Sequence, residues 1–229
     1  MTGLRYVYAV CRPLGAPLQA DLGGVAGDPP RLLAHHGLIA VLSHVPERDF
    51  AEEPLRDHRA DRSWLLETAR SHQQVVDALT AVTTPLPLRP ATVFPDDSAV
   101  RVMVQRHEDD FRDTLERLDG RVEWGVRVYD DTGGGPGETE EAREIHDFAD
   151  RLHRTLTAHA DDVRLRPPRI TAPPNRPRSV LDGAYLVPRA RSEEFVEAVH
   201  RAEGEVPGAR VELAGPWAAY SFVDVGDLS

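Results

Sequence analysis

The chain has 229 residues, 41% of them hydrophobic and 28% charged, with 27 Lys plus Arg against 38 Asp plus Glu and a formal net charge of −11. This is enough apolar material for one large or two small cores, so disorder is not the default expectation. The acidic total argues against a nucleic-acid binder, the single cysteine excludes an internal disulfide, and no run of about 18 apolar residues exists to form an ordinary membrane helix. All the basic residues are arginines, and the acidic excess runs through both halves of the chain. The first residues, Met1 to Tyr6, lack the basic-then-apolar order of a signal peptide, so the expectation is a soluble, cytoplasmic protein.

In chain order, Arg5 to Cys11 is rich in β-formers and predicts a strand. Glycines and prolines punctuate residues 13–30 as a loop or short helix. The apolar runs 31–34 and 38–45, separated by His35-His36-Gly37, predict a hairpin. Residues 46–60 read as charged and irregular. A long helix begins near Asp61 or Ser63, both good N-caps, with an expected inward face of Leu65, Ala69, His72, Val76 and Leu79, and Pro85 and Pro87 end it. Residues 86–94 are extended. Asp96 to Ser98 cap a second helix, whose face is Val100, Val104, His107, Phe111, Leu115 and Leu118, and Gly120 stops it.

Residues 121–129 predict a strand with Val122, Trp124, Val126 and Val128 on one side. Gly133 to Gly137 forms a loop, and a helix follows from about 138 to 160 with Ile145, Ala149, Leu152 and Leu156 on one face. Residues 164–178, rich in Pro and Arg, cannot be helical and start at most as an edge strand near Val163 to Leu165. Gly183 to Pro188 is a strand and Glu193 to Glu203 a helix. Two last strands are expected at 209–214 and 219–225, broken at Gly215-Pro216. The fold class is therefore α+β with two domains. Residues 1–120 form an N-terminal α+β domain with long helices. Residues 121–229 read β-α-β-β-α-β, a ferredoxin-like (split βαβ) order with one extra strand.

No chemistry emerges from spacing alone. His146, Asp150 and His153 share one helical face and form the best metal-like set, but no second Cys or HExxH pattern supports it, and an ordinary polar flank explains it. His72 and His107 sit on apolar stripes, where a core histidine bonded to a nearby group is the simpler reading. Cys11 reads as a buried thiol. Gly133 to Gly137 lacks the Lys-Ser/Thr of a phosphate loop. The expectation is no enzyme, no cofactor and no metal. Arg89, after a rigid Pro-Leu-Pro-Leu stretch, and Trp124, Trp217, Tyr220 and Phe222 are the candidates for interaction or inter-domain contacts. The competing reading is a small-molecule or metal-binding module or an enzyme, using the groove between the domains and the histidines.

Several stretches taken together carry a resemblance. They are Tyr6-Val7-Tyr8; Pro85-Leu86-Pro87-Leu88-Arg89 followed by Thr92-Val93-Phe94; Glu123-Trp124-Gly125-Val126-Arg127-Val128; Gly183-Ala184-Tyr185-Leu186-Val187; and Gly215-Pro216-Trp217 with Tyr220-Ser221-Phe222. In this order the chain resembles the GvpL/GvpF gas vesicle protein family, from about Leu4 to Val223. It departs from the family pattern at Pro90-Ala91 and Ala218-Ala219. The resemblance implies an accessory protein in assembly of a hollow, gas-filled protein shell that gives cells buoyancy. It also implies two domains, the second a modified ferredoxin-like fold, with the shell protein and other accessory proteins as partners and no enzyme activity.

Overall fold

The computed structural model describes residues 3–19, 21–58, 60–132, 139–167 and 178–223. The chain separates into two units: the first runs to Asp119 and takes back the segment from Ala218, and the second spans Gly120 to Trp217.

The first unit is organised by β1 (Gly3–Cys11), which pairs antiparallel with β3 (Leu38–Pro46) on one side and with β4 (Leu86–Pro87) and β5 (Val93–Phe94) on the other. The edge strand β2 (Arg31–His35) closes the hairpin with β3, giving a five-stranded sheet. His36 and Gly37 make the hairpin turn with left-handed backbone. The β1–β3 register slips between Val7 and Ala9, so Tyr8 is the extra residue of a bulge. The bulge explains how β1 is partitioned: Tyr6, Tyr8, Ala9 and Cys11 enter one core with Val75, Val76 and Leu79, whereas Val7 and Val10 enter another with Val100, Phe111 and Leu115. Both faces of β1 are covered, which is why its sequence is a continuous apolar run.

Helices supply both covers. Residues 46–60, expected to be irregular, form α1 (Glu47–Phe50) and α2 (Glu52–His58). Pro54 falls in the first turn of α2, where its missing N–H costs nothing, and acids at the start with Arg56 and His58 at the end suit the helix dipole. The long α3 (Arg62–Val82) starts on Asp61, whose carboxylate accepts from the Ser63 and Trp64 amides. Its buried residues are Thr68, His72, Val75, Val76 and Leu79, whereas Leu65 and Ala69, expected to face inward, are exposed. The single helix expected from 96 to 118 is two: α4 (Asp97–Arg106) and α5 (Glu108–Leu118). They break at His107 (φ −109°, ψ 19°), just before Glu108, Asp109 and Asp110, which are favourable as a first turn.

The second unit runs β6 (Arg121–Asp130), α6 (Glu140–Thr157), β7 (Asp162–Leu165), β8 (Arg178–Pro188), α7 (Ser192–Ala202) and β9 (Ala209–Trp217). The strand order is β7-β8-β6-β9, and every neighbouring pair is antiparallel. Val122, Trp124, Val126 and Val128 alternate onto the face that packs with Ile145, Leu152, Leu156, Phe195 and Val199 of the two helices. The other face is polar at its ends: Arg127 lies 3.4 Å from Asp182, and the Arg210 guanidinium sits 4.3 Å from the Tyr129 ring centroid.

The C-terminal stretch departs from expectation. Gly215-Pro216 does not end a strand, because a register shift between Glu123 and Gly125 lets β9 continue until Trp217 pairs with Glu123. Only glycine fits at 215: its φ is +127°, and a Cβ would come within 2.8 Å of the Glu123 carbonyl oxygen. The strand expected from 219 is a 3₁₀ turn at Tyr220–Phe222, and no extra strand joins the second sheet among the described residues. Ala218 and Tyr220 pack in the Tyr6–Val76 core, which groups this segment with the first unit, whereas the expectation put it in a second domain of residues 121–229.

Candidate functional site

In the first unit the Pro-Leu-Pro-Leu-Arg motif makes a specific structure. Leu86 and Pro87 pair with Val10 and Ala9, and the Leu88 amide donates to the Tyr8 carbonyl at 2.8 Å. The chain then turns over Arg89 to Thr92, closed by the Thr92 amide on the Arg89 carbonyl (3.2 Å), and returns as β5. Pro90 and Ala91 are the central residues. Ala91 has φ +65°, where glycine is the usual occupant of such a turn.

The turn is tied to the core by side chains. The Ala91 amide donates to the Tyr6 hydroxyl at 2.9 Å, and that hydroxyl lies 3.0 Å from His72 Nδ1. The phenol thus bridges the turn amide and the His72 ring on α3. The neighbouring Tyr8 hydroxyl accepts from the Val25 amide (2.7 Å) and donates to Ser43 Oγ (2.9 Å), which donates to the Asp28 carbonyl (2.8 Å). Gly24 must lack a side chain here, since a Cβ would meet the Asp28 carbonyl oxygen at 2.3 Å and Ser43 Oγ at 2.5 Å.

Burial sets the charge states. It lowers His72 to about 4, against a smaller opposing effect of the Leu88 carbonyl. It raises the Tyr6 and Tyr8 phenols despite the amides they accept from, and it pushes the Cys11 thiol up to about 12. Each of these groups is held neutral near pH 7 and far from the pKa a general acid or base needs. Their hydrogen bonds fix the turn, the 24–28 loop and α3 onto β1.

The sequence-derived candidates fall on both units. Arg89 is exposed at the turn and makes no ion pair among the described residues. Trp124 is a core residue of the second unit, with its ring centroid 6.2 Å from Phe195 and Nε1 3.3 Å from Ser192 Oγ. Trp217 is 40% exposed at the end of β9, over Gly125. Tyr220 is half-buried with its ring 6.2 Å from that of His72, and Phe222 is fully buried, its carbonyl accepting from Arg117 at 2.7 Å. Arg89 and Trp217 thus present surface, and the other three build cores.

His146 Nδ1 bonds the Ala142 carbonyl at 2.7 Å and His153 Nδ1 the Tyr185 hydroxyl at 2.9 Å. No group of three or more His, Cys, Asp or Glu is placed to hold a metal among the described residues. His107 packs against Phe111, with its ring 3.9 Å from Asp110. Gly133 to Gly137 and residues 168–177 lie outside the described residues. Arg166, ahead of the latter, lies 3.9 Å from the buried Glu123 and 3.6 Å from Asp182. The sequence reading missed the exposed pair Leu65 and Leu66 beside Trp64; three large apolar residues in a row exceed what one inward helix face takes up, and that was the available signal.

The fold defines a mixed helix-and-sheet protein built on two antiparallel sheets, and the polar groups buried around His72 are structural. The family described as Gas vesicle synthesis protein GvpL/GvpF matches residues 4–140 and 137–224, and the chain belongs to that family. It is 43% identical to Gas vesicle protein L of Streptomyces sp. (strain CB03234), across 98% of this chain and 94% of that one. It is 28% identical to Gas vesicle protein F of the same strain, across 96% and 99%. The crystal structure of the gas vesicle protein GvpF from Microcystis aeruginosa superposes with a TM-score of 0.73 at 19% identity, covering 97% of this chain and 99% of that one. That of GvpF from Anabaena sp. PCC7120 gives 0.72 at 18% identity, covering 98% and 97%. The family is one of gas vesicle proteins and is not known for enzymes. No helix among the described residues is long and apolar enough to cross a membrane.

Proposed function

We propose that this protein is an accessory factor of gas vesicle assembly that binds the hydrophobic shell protein, other accessory proteins, or both, in the cytoplasm and at the growing vesicle. The observation that carries this reading is 43% identity over nearly the full chain to a gas vesicle protein L. The lower identity, 28%, to protein F of the same strain favours the L-type role. We further infer two domains, the second ferredoxin-like, on the strength of its β-α-β-β-α-β order and antiparallel β7-β8-β6-β9 sheet.

A shell that encloses gas presents apolar surface on its inner wall, so its subunit before assembly is an aggregation hazard with apolar faces and open strand edges. A soluble helper with net charge −11 keeps such a subunit dispersed, and its own sheets end in strands available for pairing. Arg89 and Trp217 are exposed and offer side chains for contact. The test is capture of the shell protein by the purified chain, alone and with sister accessory proteins, together with electron microscopy of a deletion strain. Capture at micromolar concentration and loss of vesicles on deletion are expected; normal vesicles in the deletion strain sink the proposal.

A further inference from the structure

We propose that the outer edge of β2 is a self-association surface, on which β2 of a second copy of this chain pairs antiparallel and joins the two five-stranded sheets into one. The inference concerns the chain's association with itself and stands apart from the assembly role above.

The hairpin fixes which way the edge faces. His36 and Gly37 form a two-residue turn with φ of 49° and 73°, so His35 and Leu38 close it as a hydrogen-bonded pair. Bonded pairs recur at every second residue, at Leu33–Ala40 and Arg31–Leu42. The N–H and C=O of Leu32 and Ala34 therefore point away from β3, and neither residue has a hydrogen-bond partner on that side among the described residues. Leu33 packs with the Val100–Phe111 core, which puts Leu32 and Ala34 on the opposite face, where both are exposed, Leu32 by 48%. The strand carries none of the usual protections of an edge: no proline, no bulge, and no charge between Arg31 and His35. The sheet's other edge differs, being made of two strands of two residues each, one of them ending in Pro87.

Register selects the occupant. When two β2 strands run antiparallel with Leu33 opposite Leu33, each Leu32 exchanges a pair of hydrogen bonds with Ala34 of the other copy, and every outward backbone group of Leu32 and Ala34 in both strands is used. Slipping by two residues either way loses bonds. One slip sets Ala34 opposite Pro30, which has no N–H, and the other sets Leu32 opposite His36 in the left-handed turn. The symmetric register also matches side chains: the large Leu32 falls beside the small Ala34 on one face, and the two Leu33 side chains meet on the other. Residues 31–46 contain no carboxylate, so two chains of net charge −11 meet where neither strand nor its hairpin partner brings an acid. Asp28 and Glu108, which contact the hairpin, are bonded to the His44 amide and to His36 with Arg112.

The pairing engages five residues of each chain, a small contact, so a weak dimer is expected, with a dissociation constant of about 10–100 µM. The test is sedimentation velocity of the full-length chain from about 1 to about 500 µM. Ala34→Pro removes an outward N–H and leaves the β2–β3 bonds intact, which strips two hydrogen bonds from the symmetric pair. Leu32→Glu sets a carboxylate on the edge of each copy. Each variant should weaken dimerisation at least about tenfold, and Leu66→Glu, 56% exposed on α3, should leave it unchanged. Circular dichroism and melting confirm that each is folded. Because Leu33 lies opposite its own copy, a Leu33→Cys chain should give a disulfide-linked dimer under copper–phenanthroline oxidation, and a Leu66→Cys chain should not. A chain that stays monomeric at about 500 µM overturns the proposal. So does a dimer that both edge variants leave intact, or one that Leu33→Cys fails to crosslink. If Ala34→Pro does not fold, Leu32→Glu and the crosslink decide. None of these results bears on the assembly role, which capture of the shell protein tests separately.

Discussion

Replacing His72 by glutamine changes how the stability of the first unit responds to acid. His72 is 1% exposed, and burial holds its ring at about 4, below the ordinary 6.5. Between those values the unfolded chain binds a proton that the folded chain refuses, so stability is complete above 6.5 and drains away as pH falls toward 4. The step from pH 7 to pH 5 costs about 2 kcal/mol, and the full cost below pH 4 approaches about 3 kcal/mol. A glutamine side chain at this position can still hydrogen-bond the Tyr6 hydroxyl but does not titrate. The assay is chemical denaturation of both proteins at pH 7 and pH 5, read as the difference of differences, which cancels the carboxylates common to both. The His72→Gln protein should lose about 2 kcal/mol less than the parent on acidification. Equal losses in the two proteins would show that His72 is not held neutral by burial and would refute the reasoning.

Three further outcomes follow from the geometry. Ala91→Gly relieves left-handed backbone and should raise stability by about 1 kcal/mol, measured by thermal or urea unfolding. Gly24→Ala drives a methyl into the Asp28 carbonyl and Ser43 Oγ and should destabilise by about 1–3 kcal/mol, with loss of amide-exchange protection at Val25. Trp124→Ala should cost about 3–5 kcal/mol by opening the second core, whereas Trp217→Ala should move stability by less than about 0.5 kcal/mol; similar costs for both would place Trp217 in a core as well.

Much of the architecture was legible because local and packing signals agree. Asp61 and Asp96 are caps in sequence and in fact, and Val122 to Val128 alternate as a half-buried strand must. What was not legible depends on register or on what covers a face. Nothing in Tyr6-Val7-Tyr8-Ala9 announces that Tyr8 bulges, and without the bulge the strand's two faces are misassigned after Tyr8. Periodicity found an apolar stripe on α3, but a stripe does not say how much of its length is covered, and Leu65 and Ala69 are exposed. Gly215-Pro216 reads as a break because the sequence does not show that these two residues stand opposite the single residue Trp124, an irregularity after which pairing resumes at Trp217. The aromatics Trp124, Trp217, Tyr220 and Phe222 could not be sorted into core and surface by composition, since the same rings serve both.

The return of the chain at Ala218 to the unit it left at Asp119 makes the second unit an insertion within the first. In synthesis the residues of the inserted sheet and its helices therefore all precede the segment that closes the host unit. Until Ala218 and Tyr220 are made, the Tyr6–His72 core lacks residues that pack into it, so a chain ending at Trp217 holds every residue of its middle unit while its beginning is still incomplete.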